Sequence, residues 1–392
     1  FRRSYGPMAP LRRGLGIFGF RQGWFPAARV LCWNRSKYNN GITTDHLMAL
    51  APRQLPSDHP TLLAEKIGVL LLNLGTPDAT DTKSIRRYLR EFLSDERVIE
   101  VNPLLWQVIL NLLILPTRPA KTGHAYEQIW IKETDESPLR LYTRNQSDKL
   151  AAMMSDKHPN VIVDWGMRYG NPSTESKIRE LKDKGCERIL LVALYPQYAA
   201  STTATAYDKA FEALMKLRWQ PAVRTAPAYH DEPAYIEGLA NSIETHLNGL
   251  DWTPDLLITS YHGLPERYFL NGDPYHCHCF KTTRLVREKL GWTDDRMMVA
   301  FQSRFGKEEW LKPYLQDTVE GLPAKGVKNL AIICPGFSAD CVETLEEINI
   351  GIRETFAEAG GENFTYIPCL NDSDDGMKAI ETVVKRELQG WV

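Results

Sequence analysis

The sequence predicts an α/β fold: two Rossmann-like, doubly wound domains, each a parallel sheet with helices on both faces. Two observations carry this. From Lys66 onward, short apolar runs of strand character alternate with charged, amphipathic segments of helical length. Eight such runs are present, too many for one small α/β unit. The length agrees, because 392 residues with 43% hydrophobic content bury a substantial core and favour two domains over one.

The predicted strands are 67–74, 161–167, 188–195, 223–228, 256–261, 297–302, 330–334 and 364–368. A helix follows over about 201–217, and the least apolar break comes next, at KLRWQP (216–221). A domain boundary is therefore expected there. The last helix, 377–388, is expected to pack back on the first domain. This assigns 66–217 plus 371–392 to one domain and 218–370 to the other.

Composition excludes several classes of function. The net charge of −2 hides an asymmetry, because residues 1–44 hold eight Arg or Lys and no acid. The rest carries 39 basic and 49 acidic residues, a poor nucleic-acid partner. The seven cysteines are odd in number and scattered, the pattern of reduced thiols in a cytoplasmic compartment. The Arg-rich segment 1–47, acid-free as far as residue 44, has two readings. It is a mitochondrial transit peptide, which would place the protein in the matrix, or an upstream translation artefact with the true start at Met48. Its Gly14, Gly16 and Gly19 match a dinucleotide-binding spacing but follow no strand, so the match is read as chance. The longest apolar run, LLWQVILNLLILP from Leu104, is interrupted by Gln107 and Asn111 and falls short of the roughly 20 residues that span a bilayer.

In open α/β sheets the residues just after each strand face the ligand. After the fifth run comes SYHGLPERY, where Gly263 and Pro265 turn the chain and leave His262 at the strand end. After the seventh comes PGFSADCVETLEEI, broken by Pro335 and Gly336, with a helix expected from about Ala339. On that helix Asp340, Glu343 and Glu347 fall at i, i+3 and i+7, one face over two turns. Favourable placement in the helix dipole is the plain explanation for such acids. Set across a cleft from a strand-end imidazole, they also form a site for a divalent metal or for passing protons. Tyr195, Trp310 and Phe337 follow strands, and Arg168 and Tyr169 end another in MRYG. Each aromatic alone reads as core; together they suit a large flat apolar ligand with a charged edge.

At this point the chain resembles a known family. NLGTPDATDTKSIRRYLREFLSD, YPQYAASTTA, SYHGLPERY, FQSRFGKEEWLKPY and PGFSADCVETLEEI are similar, in order, to the signature blocks of ferrochelatases that act on protoporphyrin, over about 66–388. The resemblance implies a porphyrin cleft between the two domains, no organic cofactor, and Fe²⁺ and protoporphyrin IX as substrates. It further implies that His262 and Glu343 are the catalytic, iron-facing pair and that Asp340 and Glu347 relay protons. Tyr195, Trp310, Phe337, Arg168 and Tyr169 would line the porphyrin pocket, with Arg118 at its mouth. The stretch from Leu104 to Leu115 matches the family's pocket lip, which would meet a membrane surface where the porphyrin partitions; the plain alternative is a buried core helix.

Some relatives carry a [2Fe-2S] cluster on four cysteines. Here YAASTT has alanines where cluster-bearing relatives place a cysteine, and His276, Cys277, His278 and Cys279 are spaced too tightly to converge on one ion, so no cluster is expected. Two rival readings are a chelatase for another metal or tetrapyrrole, which typically uses paired histidines, and a non-catalytic haem or metal carrier, which would have no use for an acidic row.

Overall fold

The computed structural model describes residues 65–392, and the expectations for residues 1–47 lie outside them. Residues 65–392 form one compact unit. Within it the chain builds two four-stranded, wholly parallel sheets: β1 (Lys66–Thr76), β2 (Val161–Gly170), β3 (Cys186–Ala193) and β4 (Ala222–Thr225), then β5 (Leu256–His262), β6 (Met297–Gln302), β7 (Asn329–Ile333) and β8 (Asn363–Ile367). All eight expected strands are present.

The strand orders are β2-β1-β3-β4 and β6-β5-β7-β8, the same winding twice. The direction of winding reverses between β1 and β3, and again between β5 and β7. In doubly wound sheets the crevice at such a reversal receives the ligand. The loops after β1, β3, β5 and β7 are therefore the ones that build a site.

Both faces of each sheet are covered, so each strand divides its side chains between two cores. Ile67, Val69 and Leu71 of β1 join Leu257 of β5 and Ala331 and Ile333 of β7 in a core that spans both sheets, closed by helices Pro233–Asn248 and Asp374–Glu387. Leu70 and Leu72 face the opposite way, onto helices Thr174–Asp183 and Thr205–Met215. Burial of this extent contributes roughly 25 cal/mol per Å² of apolar surface, which is why continuous apolar runs make these strands.

Two expectations change. β4 pairs with β3 through Arg188↔Ala222 to Leu191↔Thr225, so the first sheet runs past residue 217 and the break at 216–221 is a loop inside it. The last helix packs most extensively on helix Pro233–Asn248 and also on Pro138–Ser155, so it bridges the halves rather than returning to one of them.

The stretch from Leu104 is not a buried core helix. It forms helix Pro103–Ile109, capped by the Asn102 side chain, then a π-helical turn at Leu110–Ile114 and helix Leu115–Ile129. Leu110 and Leu115 pack inward with Tyr88 and Tyr126, while Leu104 is 82% and Leu112 69% exposed. No helix among the described residues is long and apolar enough to cross a membrane.

Candidate functional site

β5 ends in His262, whose Nδ1 lies 2.7 Å from the carbonyl of Gly263. A carbonyl only accepts, so Nδ1 carries the proton and Nε2 keeps its lone pair, free for a proton or a metal. The turn is fixed by backbone bonds from Gly263 N to Gln302 O and from Leu311 N to Leu264 O. A side chain at 263 would strike Gln302 O at 2.7 Å and Trp310 at 3.0 Å, so the position needs glycine.

After β7, Pro335 and Gly336 break the strand, the chain turns and bends through 335–339, and extended Cys341 precedes helix Val342–Leu345, its N–H donating to Thr344 Oγ1 at 3.0 Å. Glu343 opens that helix and Glu347 opens the π-helical turn Glu347–Ile352 that follows. The helix starts three residues later than the sequence suggests, so Asp340 precedes it and does not share a face with the other two acids. Its carboxylate is 3% exposed and accepts from Tyr366 OH (2.5 Å), Asn371 Nδ2 (2.7 Å) and Thr344 Oγ1 (2.9 Å). Those bonds give it the geometry of an internal anchor.

The two remaining acids face different ways. Glu347 accepts from Ser303 Oγ at 2.6 Å and Gln302 Nε2 at 3.3 Å, with the His262 ring close enough to act on its charge. Burial raises its pKa above the ordinary value, opposed by the Ser303 hydroxyl and by the charge His262 carries when it takes up a proton. Glu343 lies toward the buried phenols of Tyr88, Tyr126 and Tyr195 and the Cys341 thiol, all pushed up by burial and, to a lesser degree, by its charge. The pair thus spans the gap between the His262 strand end and the helices covering the first sheet.

Gln302 and Ser303, at and just past the end of β6, tie this together and were not singled out in the sequence. Ser260 Oγ donates to Gln302 Oε1 (2.7 Å), and Gln302 Nε2 donates to the Glu343 carbonyl (2.8 Å). Position after a strand was the only available signal.

The aromatic and basic expectations divide. Tyr195 is buried, its hydroxyl without a hydrogen-bond partner. Phe337 is half-buried, and Trp310 packs edge-on against Phe305 with ring centroids 4.9 Å apart. Tyr169 is fully buried and donates to Asp95 at 2.7 Å. Arg168 ion-pairs with the same Asp95 and donates to Thr205 Oγ1 at 2.6 Å, so its charge is already matched. Arg118 is exposed on helix Leu115–Ile129. A cavity of about 240 Å³ lies at the carboxyl ends of β1 and β2, with Thr76, Arg87 and Asn171 in its wall but neither His262 nor Glu343.

The His276–Cys279 run begins helix Tyr275–Leu290. His276 packs between Phe269 and Phe280, His278 stacks on His230 at 3.6 Å, Cys279 is buried and Cys277 exposed. Among the described residues no three His, Cys, Asp or Glu side chains are grouped to hold a metal ion.

The ferrochelatase family model matches residues 66–388. The chain is 60% identical over 345 residues to the ferrochelatase of Allorhizobium ampelinum and 61% identical over 345 residues to that of Agrobacterium fabrum, in each case over 88% of this chain and 100% of the relative. A solved structure of SirB from Bacillus subtilis with Fe³⁺ is similar at a TM-score of 0.49 and 10% identity, over 83% of this chain and 97% of that one.

Proposed function

This chain belongs to the ferrochelatase family, metal chelatases that place ferrous iron in protoporphyrin in haem biosynthesis, and from that premise we propose how its residues divide the work. Insertion of Fe²⁺ removes two pyrrole protons, so a base must stand at one face of the macrocycle and a donor must hold the metal. His262 Nε2 accepts the first proton, and Glu347 stabilises the imidazolium that forms and takes the proton onward. Glu343 holds the iron and relays the second proton. Asp340 contributes as an anchor of the Glu343 turn.

The observation that carries this reading is the locked His262 tautomer with Glu347 beside it. A carbonyl-bound Nδ1 leaves one acceptor on the ring, and it is the strand-end atom free for substrate. Tyr195, Phe337 and Trp310 supply apolar walls for a flat macrocycle, and Arg118 stands at the mouth. The two sheets, each with the helices that cover it, serve as the two walls of the cleft. The exposed leucines of 104–113 rest on a bilayer surface from which the porphyrin enters, in keeping with a cytoplasmic enzyme that meets a membrane.

The test is anaerobic Fe²⁺ insertion into protoporphyrin, followed by loss of porphyrin fluorescence. Turnover by the parent, with His262→Ala and Glu343→Gln reduced at least 100-fold, supports both assignments. Tight haem binding by a parent that never turns over would make the protein a carrier.

A further inference from the structure

We infer that Arg267 is a positioning residue that fixes the apolar lip over the porphyrin site by stapling two loops to the helix that follows His262. This rests on the reading above.

Arg267 lies on the short helix Glu266–Leu270, five residues past His262. Its guanidinium is shared between two loops. Nε donates to Glu308 at 2.6 Å, in the loop after β6; Nη1 donates to Glu100 at 2.6 Å, in the loop after helix Thr82–Leu93. The plane lies 4.5 Å over the Tyr268 ring, and Tyr268 donates its hydroxyl to the Val98 carbonyl at 3.3 Å. The planar fork of arginine suits such a three-way contact; lysine, a single point charge, does not.

The loop that Arg267 grips is the one that aims the lip. It begins at Asp95, anchored to Arg168, Tyr169 and Thr205, and ends at Asn102, whose side chain caps the helix carrying Leu104 and Leu105. Glu100 is two residues before that cap. Between the two anchors, Arg267 and Tyr268 tie the loop to the second half of the molecule.

The staple is built to yield. Arg267 and Glu100 are each about one-third exposed, at 35% and 37%, so salt screens their attraction. His262 does not depend on it, because the 263–266 segment is held separately by backbone bonds to Gln302, Glu309 and Leu311. Loss of the staple therefore changes how the lip closes on porphyrin without moving the base, a KM effect rather than a kcat effect.

The experiment compares the full chain with Arg267→Met, Glu100→Gln and the double variant, reading porphyrin KM, kcat, their salt dependence, and amide exchange over residues 98–109. Arg267→Met keeps the apolar stem and removes the charge. The expected result is a three- to tenfold rise in KM in each single variant with kcat within twofold, and a double variant no worse than Arg267→Met, since the Arg267–Glu100 contact can be lost only once. Parent KM rises with NaCl toward the variant value, while the variants stay flat. Amide exchange over 98–109 quickens at least tenfold. Unchanged KM and exchange, or effects that add in the double variant, would overturn the staple. If Arg267→Met fails to fold, Glu100→Gln, on an exposed loop, carries the comparison. If the parent does not insert iron, the functional reading fails, and the exchange data still decide the staple.

Discussion

Ser303 donates its hydroxyl to the Glu347 carboxylate at 2.6 Å, from a backbone with φ of 65°. The hydroxyl stabilises the ionised form of an acid whose pKa burial has already raised. Ser303→Gly removes the donor while tolerating the positive φ. Without it the pKa of Glu347 rises further, so the group stays protonated to higher pH. If ionised Glu347 is what steadies the His262 imidazolium, the acid limb of the kcat/KM profile moves to higher pH, and activity on that limb falls roughly three- to tenfold. The pH–rate profile decides it; an unshifted acid limb would remove Glu347 from the proton path.

Asp340 makes a different prediction, because its carboxylate satisfies Tyr366, Asn371 and Thr344 inside the protein. Asp340→Ala orphans three buried donors, and leaving such groups unpaired costs about 1–3 kcal/mol each when nothing relaxes. A loss of about 3–5 kcal/mol in urea-unfolding free energy is expected, with kcat of the remaining folded enzyme within a few-fold of the parent. A stable Asp340→Ala protein with abolished turnover would restore Asp340 to the proton relay.

These two residues also show where the sequence was legible. The eight strands could be read because strands covered on both faces are written as unbroken apolar runs. The row Asp340, Glu343, Glu347 could not, because its spacing was laid on a regular helix from Ala339. Cys341 instead keeps an extended φ of −149°, and the π-helical turn from Glu347 alters the period again. Gln302 and Ser303 were hidden for another reason: their partners are 41 to 45 residues away, and only strand order brings them together. β4 was assigned to the wrong half because a four-residue edge strand, AVRT, carries too little pattern to say which sheet it joins.

The stacked imidazoles of His230 and His278, 3.6 Å apart, predict a loss of stability in acid. Burial lowers the pKa of His230 to about 4, and the His278 ring adds to the shift; burial lowers His278 as well. Asp231 and Asp273 oppose these shifts and Lys281 reinforces them. Above pH 6.5 both folded and unfolded chains hold His230 neutral, so it contributes no pH dependence. Between 6.5 and about 4 the unfolded chain takes up a proton that the folded one refuses, and stability falls as pH falls. Below about 4 both forms are protonated and the loss levels off. With solvent screening allowed for, the loss is about 1–2 kcal/mol across that window. His230→Gln should flatten this part of a urea-unfolding series taken from pH 7 to 4; an equally steep fall in the variant would assign the dependence elsewhere.

The exposed leucines give the last prediction. Leu104, Leu105, Leu112 and Leu113 stand 61% to 82% exposed on a helix and turn whose other side is anchored by buried Leu110 and Leu115. Insertion of a leucine side chain into an apolar phase is worth about 1.5–3 kcal/mol, and a charge in its place reverses the sign. Leu104→Asp with Leu112→Asp should therefore reduce sedimentation with phospholipid vesicles more than tenfold. Because these side chains contribute almost nothing to the core, the melting temperature should change by no more than a few degrees. Turnover of porphyrin presented in detergent should stay within about twofold of the parent, while turnover of vesicle-borne porphyrin falls with the binding. If both substrates suffer equally, the leucines line the porphyrin pocket itself; if neither does, the lip has no part in delivery from a membrane.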